Sequence, residues 1–323
     1  MNSLLTVSHL SIEFPTRHGT LLAVDDVSFT LAPGEVLGLV GESGAGKSIT
    51  GNAIIGLLEP PGRIANGEIN LDGRRIDHLS ADEIRKVRGR QIGAIFQDPL
   101  TSLNPLYTIG KQLIETIRTH LDLSATQARL RAIELLRAVG IAAPEQRIDQ
   151  YPHQFSGGMR QRVIIALALC ANPKLLIADE PTTALDVSIQ AQIIEMLKKL
   201  MHEHGTAIVL ITHDMGVIAE IADRVAVMYA GRIVEIGPVR DVIKNPKHPY
   251  TIGLMGSIPS IHGDVNRLTQ IDGAMPRLNA IPPGCPFNPR CSRVFDRCRV
   301  ERPALLNAGE TAAACWLYQD RNL

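Results

Sequence analysis

A glycine-rich run near the start of the chain has the composition of a phosphate-binding loop. Residues 41–48 fit the pattern G-x-x-x-x-G-K-[ST], and the apolar stretch 36–40 before them predicts a buried strand. A strand, loop and helix in this order direct backbone N–H groups and the positive helix end at an anion. We expect Lys47 to contact the β and γ phosphates of a nucleotide and Ser48 to bind Mg²⁺. The nucleotide-binding residues predicted in the loop are Gly41, Ser43, Gly44, Ala45, Gly46, Lys47, Ser48 and Ile49.

A second candidate site follows the apolar stretch 175–178, where Asp179 and Glu180 stand side by side. One carboxylate at such a strand end can lie beside a metal ion and the next beside an attacking water. We expect Asp179 to hold Mg²⁺, directly or through water, and Glu180 to act as general base. Two acids in this position could instead only end a strand and begin a loop. The phosphate-binding loop favours the catalytic interpretation, and the two motifs together predict ATP hydrolysis.

A second glycine turn, Ser156-Gly157-Gly158, stands at the start of a predicted helix and offers another anion site. One ATP does not need two such loops from a single subunit. The order of the motifs resembles the ATP-binding cassette family, in which the signature loop of one subunit closes over the nucleotide of another. The resemblance therefore implies a dimer with two shared sites, in which these three residues contact nucleotide.

Three further motifs match the cassette family position by position. By resemblance, Gln97 is the Q-loop glutamine that senses metal and water, and Asp186 in Ala184-Leu-Asp belongs to the D-loop. His213 resembles the switch histidine that contacts the γ phosphate. A lone glutamine or histidine is more often structural, and the motif order favours the functional role here. Phe14 is the candidate for stacking on adenine, although it also continues the alternation of apolar residues in 10–14 and could be core.

Two positions depart from the family's signature, which usually begins with Leu and ends with Gln. This chain has Phe155 and Met159 there. Met159 lacks the polar side chain, which could slow the composite site that uses this loop. Because the three residues that would face phosphate are intact, we expect the site to be competent.

Alternating strand and helix signals predict an α/β fold with a mainly parallel sheet. By resemblance, it has a P-loop NTPase (RecA-like) core, an antiparallel β subdomain and an α-helical subdomain. We expect a nucleotide-binding domain at 1–237, with the helical subdomain inserted at about 98–158, and a small loop-rich C-terminal domain at 238–323, where ten of the 20 prolines lie. The predicted strands are 10–14, 21–31, 36–40, 67–72, 91–96, 175–178, 207–212, 225–228 and 232–235, and the predicted helices follow 47 and cover 108–139, 159–170, 189–204 and 217–222.

Three segments, 97–105, 151–158 and His248-Pro-Tyr250, resemble the ATPase subunits of dipeptide and oligopeptide importers. The resemblance implies a second, non-identical ATPase subunit, two membrane permeases and an extracytoplasmic binding protein that delivers peptide. The region after Gln97 and the helical insertion would receive the permease's coupling helix. Nickel, glutathione and cationic-peptide importers use ATPases of similar sequence and remain alternatives. The overall likeness favours import of dipeptides or oligopeptides, powered by ATP hydrolysis.

Four of the five cysteines lie in the last 39 residues. Their spacing lacks the pairs two to four residues apart that are typical of structural zinc sites, and four thiolates can instead hold a cubane cluster. The resemblance to the peptide-importer group implies a [4Fe-4S] cluster on Cys285, Cys291, Cys298 and Cys315, and zinc or unligated thiols remain alternatives. Cys170 lies between apolar neighbours and is expected in the core.

The composition excludes several classes of protein. Lys plus Arg equals Asp plus Glu at 33 each. The chain therefore has no net positive charge that would attract nucleic acid or an anionic bilayer. The first residues lack a basic region followed by an apolar block, and the most apolar stretch is too short to span a membrane. We therefore expect a peripheral protein at the cytoplasmic face of the inner membrane. A soluble cassette protein, an exporter subunit and a redox-sensing interaction protein are the rival interpretations.

Overall fold

The computed structural model describes residues 3–97, 102–183, 185–257 and 270–318. The chain divides into two compact units. Unit 1 comprises Met1–Leu4, Leu31–Glu35 and His78–Leu210, and unit 2 comprises Leu5–Thr30, Val36–Asp77 and Ile211–Leu323. The predicted domain boundary between residues 237 and 238 rests on a change in sequence composition, whereas the two units are sets of residues that contact one another. That boundary and the inserted helical subdomain therefore stay predictions.

The strands among the described residues are β1 (Leu5–Thr16), β2 (Gly19–Leu31), β3 (Val36–Val40), β4 (Arg63–Leu71), β5 (Arg74–Arg75), β6 (Ile92–Ile95), β7 (Leu175–Asp179), β8 (Ala207–Ile211), β9 (Arg224–Tyr229), β10 (Arg232–Pro238), β11 (Leu306–Asn307) and β12 (Ala312–Ala313). The α-helices are α1 (Lys47–Ile54), α2 (Ala81–Val87), α3 (Ile109–His120), α4 (Ala125–Ala138), α5 (Pro144–Arg147), α6 (Gly157–Leu169), α7 (Val187–His204), α8 (Met215–Ile221), α9 (Val239–Lys244), α10 (Pro249–Gly256) and α11 (Asp296–Val300).

Unit 2 contains an antiparallel sheet and the strand that leads into the phosphate-binding loop. The antiparallel sheet has the order β2-β1-β4-β5. In the other sheet, β3 pairs in parallel with β9, and β9 and β12 pair antiparallel with β10. All five residues of β3 are buried, because a central parallel strand is covered on both faces. The loop after β3 therefore starts from a rigid position.

Unit 1 combines three strands with the helices α2 to α7. β6 pairs in parallel with β7, which neighbours β8, and α6 packs against β6. α3 and α4 pack on each other, and both begin at a side-chain cap. The Thr108 hydroxyl accepts the Lys111 N–H, and Ser124 and Gln127 form a capping box. The signature loop and β7 thus belong to one unit.

The predicted elements largely agree with the structure. Every predicted strand is present, with ends that differ by up to five residues, and the single helical region predicted at 108–139 is two helices separated at 121–124. The predicted sheet is mainly parallel, and the sheet that contains β3 is mixed, because β10 pairs antiparallel with both β9 and β12. None of the helices formed by the described residues has the length and apolar character needed to cross a bilayer.

Candidate nucleotide-binding site

The phosphate-binding loop closes around the side chain of Lys47. Its Nζ donates hydrogen bonds to the carbonyl oxygens of Gly41, at 2.8 Å, and Glu42, at 3.0 Å. Only 7% of Lys47 is exposed. Gly41 has a φ of +151°, and a Cβ there would clash with the carbonyl oxygen of Met228. Only glycine fits this close approach of two backbone segments, which explains the first glycine of the motif.

The remaining predicted loop residues surround the start of α1. Gly46 is its N-cap with a φ of +100°, and the buried Thr50 hydroxyl donates to the Gly46 carbonyl oxygen at 2.8 Å. Ser43 and Gly44 are exposed, whereas Ser48 and Ile49 in the first turn are half-buried and Ala45 is buried. The unpaired N–H groups of a helix start and the loop before it are the donors that a phosphate requires.

Phe14 and His213 also lie in unit 2. Phe14 is half-buried near the end of β1, and its ring lies so close to Gly62 that a Cβ there would clash. The ring thus packs against the segment before β4, and its stacking on adenine stays a prediction. His213 is exposed directly after β8, between Thr212 and Asp214, whose carboxylate caps α8. The structure therefore places His213 at a strand end, and its role as a switch histidine stays a prediction.

In unit 1, the two carboxylates at the end of β7 lie beside the predicted Q-loop glutamine. The Glu180 Oε2 atom accepts hydrogen bonds from the Gln97 Nε2 at 3.0 Å and from the Thr183 hydroxyl at 2.7 Å. Glu180 has a positive φ of 49°, which a non-glycine residue adopts at some cost. Asp179 is the last residue of β7 and is half-buried. The structure thus brings Gln97 and Glu180 together and fixes the carboxylate of the latter.

The signature loop and the D-loop of unit 1 line one cavity of about 530 Å³. Ser156 caps α6 by accepting the Met159 N–H at 3.3 Å, and Asp186 is the N-cap residue of α7. Gly157 is exposed and Gly158 half-buried. Arg147 and Arg162 contribute positive charge to the cavity. This cavity therefore has the N–H groups, hydroxyl and cations that bind an anion. Ala184 of the D-loop and residues 98–101, which follow Gln97, lie outside the described residues.

The four cysteines of the C-terminal region line one small cavity of about 20 Å³ in unit 2. All are free thiols, and Cys285 donates its backbone N–H to the Cys298 carbonyl oxygen at 2.8 Å. Burial raises the pKa of the Cys285 thiol to about 12 and that of Cys315 to about 11, and the neighbouring thiols contribute to both shifts. Within the described ranges, no group of three or more His, Cys, Asp or Glu side chains has a geometry that could hold a metal ion. The thiols thus surround a common space without forming a ligand set.

Comparisons with known proteins agree with this arrangement. The ABC transporter family matches residues 24–183, and the oligopeptide/dipeptide transporter C-terminal region matches residues 234–298. The chain is 48% identical to the oligopeptide transport ATP-binding protein AppD of Bacillus subtilis (strain 168), over 99% of this chain and 98% of the relative. The dipeptide transport ATP-binding protein DppD of Escherichia coli (strain K12) is also 48% identical, over 94% and 93% respectively. The chain belongs to the ABC transporter family.

A solved ABC cassette supports the same assignment. The dimeric structure of the ATP-binding cassette MJ0796, in a post-hydrolysis state bound to ADP and Pi, superposes with a TM-score of 0.66 at 30% identity. The match covers 73% of this chain and 99% of that chain. The predicted α/β cassette fold is therefore confirmed, as is the prediction of an ATP-hydrolysing enzyme of this family.

Sequence reasoning missed several residues that this ABC protein places around the predicted ones. Thr183 holds Glu180, and the buried Gln161 donates to the Pro181 carbonyl oxygen at 2.6 Å. Arg290 and Tyr250 contact Glu42 of the phosphate-binding loop. Thr183 stands three residues after Glu180, so its position beside the predicted carboxylate was a local signal, and the motif at 248–250 pointed to Tyr250. Gln161 and Arg290 had no such signal, because their contacts join positions 20 and 248 residues apart.

Proposed function

We propose that the chain hydrolyses ATP to power the import of dipeptides or oligopeptides through a membrane transporter. The main support is similarity over nearly the whole chain, including the C-terminal region, to ATP-binding proteins of peptide transporters. In this proposal it lies at the cytoplasmic face of the inner membrane. It pairs there with a second, non-identical ATPase subunit beneath two permeases, and an extracytoplasmic binding protein supplies the peptide.

The phosphate-binding loop would hold the nucleotide. The N–H groups of residues 43, 44 and 46–49 offer donors to phosphate oxygens, and Lys47 supplies a fixed positive charge for the β and γ phosphates. Ser48, Asp179 and Gln97 carry the oxygen ligands that Mg²⁺ prefers. When bound, Mg²⁺ neutralises the charge that develops on the phosphate oxygens during transfer. Phe14 is the proposed stacking partner for adenine.

Glu180 is the proposed general base of hydrolysis. Its carboxylate takes a proton from water as the water oxygen bonds to the γ phosphorus and the bond from that phosphorus to the ADP oxygen breaks. The hydrogen bonds from Thr183 and Gln97 orient this carboxylate. His213 would donate a hydrogen bond to the γ phosphate. The positive φ of Glu180 indicates a carboxylate held in place by its surroundings.

The cavity between the signature loop and the D-loop would close over a nucleotide held by the partner ATPase. The MJ0796 cassette forms a dimer with bound ADP and Pi, which supports pairing of this kind. Ser156, Gly157 and Gly158 would face the γ phosphate, and Asp186 would lie at the partner's side. Met159 lies in the first turn of α6 and lines the same cavity, and it replaces the polar residue usual in the family.

Transport by the tagged complex tests the peptide assignment. The complex is captured from detergent-solubilised membranes, reconstituted with its binding protein, and supplied with labelled dialanine, glutathione or Ni²⁺. ATP-dependent uptake of dialanine that stops in a Glu180→Gln complex is the expected result. Uptake of only glutathione or Ni²⁺ would replace the substrate, and a chain recovered without permeases would overturn the transporter proposal.

A [4Fe-4S] cluster on Cys285, Cys291, Cys298 and Cys315 is a second proposal. Support comes from the convergence of all four thiols on one cavity in unit 2. The present thiol positions do not form a ligand set for a metal ion, so the thiols would have to rearrange around the cluster. Thiols with raised pKa values bind metal only after deprotonation, which the positive charge of iron favours.

Anaerobic purification with iron, sulfide and zinc analysis tests the cluster. We expect four iron and four sulfide per chain, with loss of both in a Cys298→Ser variant and retention in a Cys170→Ser control, since Cys170 lies in unit 1 away from the cavity. One zinc per chain, or no metal, would overturn the proposal.

A further inference from the structure

The C-terminal region of unit 2 holds one residue of the phosphate-binding loop, Glu42, from two sides. The Arg290 guanidinium binds its carboxylate through two parallel hydrogen bonds, of 3.0 and 3.1 Å. The Tyr250 hydroxyl accepts the Glu42 backbone N–H at 2.8 Å. These contacts join positions more than 200 residues apart in the sequence. Glu42 is thus fixed by side chain and backbone.

The Arg290 side chain is held rigidly in this position. Only 7% of it is exposed, and its Nε donates to the Asp272 carbonyl oxygen at 2.8 Å. A further N–H is 3.3 Å from the Gly273 carbonyl oxygen. The guanidinium also lies 5.9 Å from the centre of the Phe287 ring. A planar fork with this many partners loses little additional entropy when it binds a carboxylate, so the pair is geometrically specific.

The His-Pro-Tyr motif explains how Tyr250 reaches the loop. The buried His248 accepts the Tyr250 N–H on Nδ1 at 3.1 Å and so caps α10. Its own backbone N–H donates to the buried Glu235 at 2.9 Å. Tyr250 is fully buried, and its ring packs edge-on to Tyr229, the last residue of β9, with centroids 4.7 Å apart. The motif therefore anchors α10 to β10 and directs one hydroxyl at Glu42.

Glu42 in turn determines where Lys47 lies. The Glu42 carbonyl oxygen accepts the Lys47 Nζ at 3.0 Å and the Ala45 N–H at 3.2 Å. A displaced Glu42 would therefore move the lysine and change the curvature of the loop. The Glu42 N–H is already bonded to Tyr250, so the phosphate must be bound by the later N–H groups of the loop.

We propose that Arg290 and Tyr250 are positioning residues of the ATP site, through which the C-terminal region sets the affinity of the phosphate-binding loop for nucleotide. The inference rests on the proposed function and assigns the C-terminal region a role within the ATPase cycle. The proposed effect acts through the geometry of the phosphate-binding loop, and it requires no contact between ATP and a residue of the C-terminal region.

A double-mutant cycle on the full-length chain tests the link. The variants are Arg290→Lys, which keeps the charge and loses the fork, Glu42→Gln, and the two combined. Coupling energies in such networks correspond to changes of about 2-fold to 100-fold in an equilibrium constant. We expect each single variant to weaken binding of a fluorescent ATP analogue about ten-fold and the double variant about ten-fold as well, since both remove one interaction.

Two controls separate positioning from general stability. Arg129→Met removes another double hydrogen bond to a carboxylate, that of Asp149 in unit 1, and should leave ATP affinity unchanged. Tyr250→Phe removes one hydroxyl from a position where the ring is retained, and should weaken ATP binding without a comparable loss of folded protein. Thermal unfolding is measured for every variant.

The outcomes separate failure of this inference from failure of the proposed function. Variants with lower melting temperatures and unchanged ATP affinity in the folded state, or single effects that multiply in the double variant, would overturn the positioning role. A parent chain that binds no ATP would overturn the proposed function instead.

Discussion

The hydrogen bond from Thr183 to Glu180 offers a sharp test of how the general base is held. In Thr183→Val the hydroxyl that donates to Glu180 Oε2 at 2.7 Å is replaced by a methyl group of similar size. Gln97 remains as the second donor to the same oxygen, at 3.0 Å. The substitution therefore removes half of the described support for this oxygen without emptying the space beside it.

The size of the effect follows from the charge and the exposure of the pair. A hydrogen bond to a charged group contributes about 1.5–3 kcal/mol net. Glu180 is half-buried and keeps Gln97, so we take the lower end of that range. A loss of about 1.4 kcal/mol in the transition state lowers kcat about ten-fold. KM for ATP should change less than about two-fold, because an interaction made with the base affects the transition state and not ground-state binding.

Phosphate release by the reconstituted transporter complex measures both constants. Thr183→Ser, which keeps a hydroxyl, is the matched control and should recover most of the parent kcat. Parent-like turnover in Thr183→Val, or equal losses in the Ser and Val variants, would refute the idea that this hydroxyl orients the base. A rise in KM without a change in kcat would refute it as well.

Three further predictions concern stability and reactivity. Gly41→Ala should lower the melting temperature far more than Gly44→Ala, because both residues have positive φ but only Gly41 faces a backbone carbonyl; equal effects would contradict the close approach. Burial alone would raise the pKa of Asp77, but the hydrogen bonds from Arg75, from the Ile69 N–H and from its own backbone N–H, together with the charge of Arg75, outweigh burial and lower the pKa. The stability lost in Asp77→Asn, measured by urea unfolding, should thus be present at neutral pH and shrink as pH falls below the ordinary aspartate pKa; a constant loss would exclude this linkage. Cys170 is 1% exposed with its pKa raised to about 11 by burial, so iodoacetamide should label it only after unfolding; equally fast labelling of the native chain would contradict this.

The sequence carried enough information for the elements that repeat a local pattern. β3 and α1 follow from an apolar run, a glycine loop and helical spacing, and the structure confirms both. The predicted and observed ends of helices differ where a capping side chain determines the first residue of the helix. α6 begins at Gly157 rather than Met159 because the Ser156 hydroxyl accepts an N–H of its first turn. The single helical region predicted at 108–139 breaks where Ser124 starts a new capping box, a signal that is present in the sequence but short.

Contacts between distant positions could not be predicted from local patterns. The hydrogen bond between Gln97 and Glu180 joins residues 83 positions apart, and the pair of Arg290 with Glu42 joins residues 248 positions apart. Each depends on which strand ends and loops the fold brings together. Gln97 and Glu180 each belong to a separate local motif, so each is predicted on its own. Arg290 is not predicted, because a single arginine in a loop-rich segment has no local signature.

Glu180 and Glu42 are both held by hydrogen bonds, but we expect their partners to affect different properties of the enzyme. Glu180, the proposed general base, is oriented by Thr183 and Gln97 within unit 1, so we expect a change there to act on the proton transfer and to appear in kcat. Glu42 is held by Arg290 and Tyr250 within unit 2, so a change there acts on the phosphate-binding loop and appears in nucleotide affinity. A region that only stabilised the fold would have no need to bind a loop residue whose carbonyl oxygen also accepts a hydrogen bond from Lys47. The position of these contacts therefore argues that the C-terminal region adjusts how firmly the loop holds ATP, while the hydrolysis step is controlled from the end of β7.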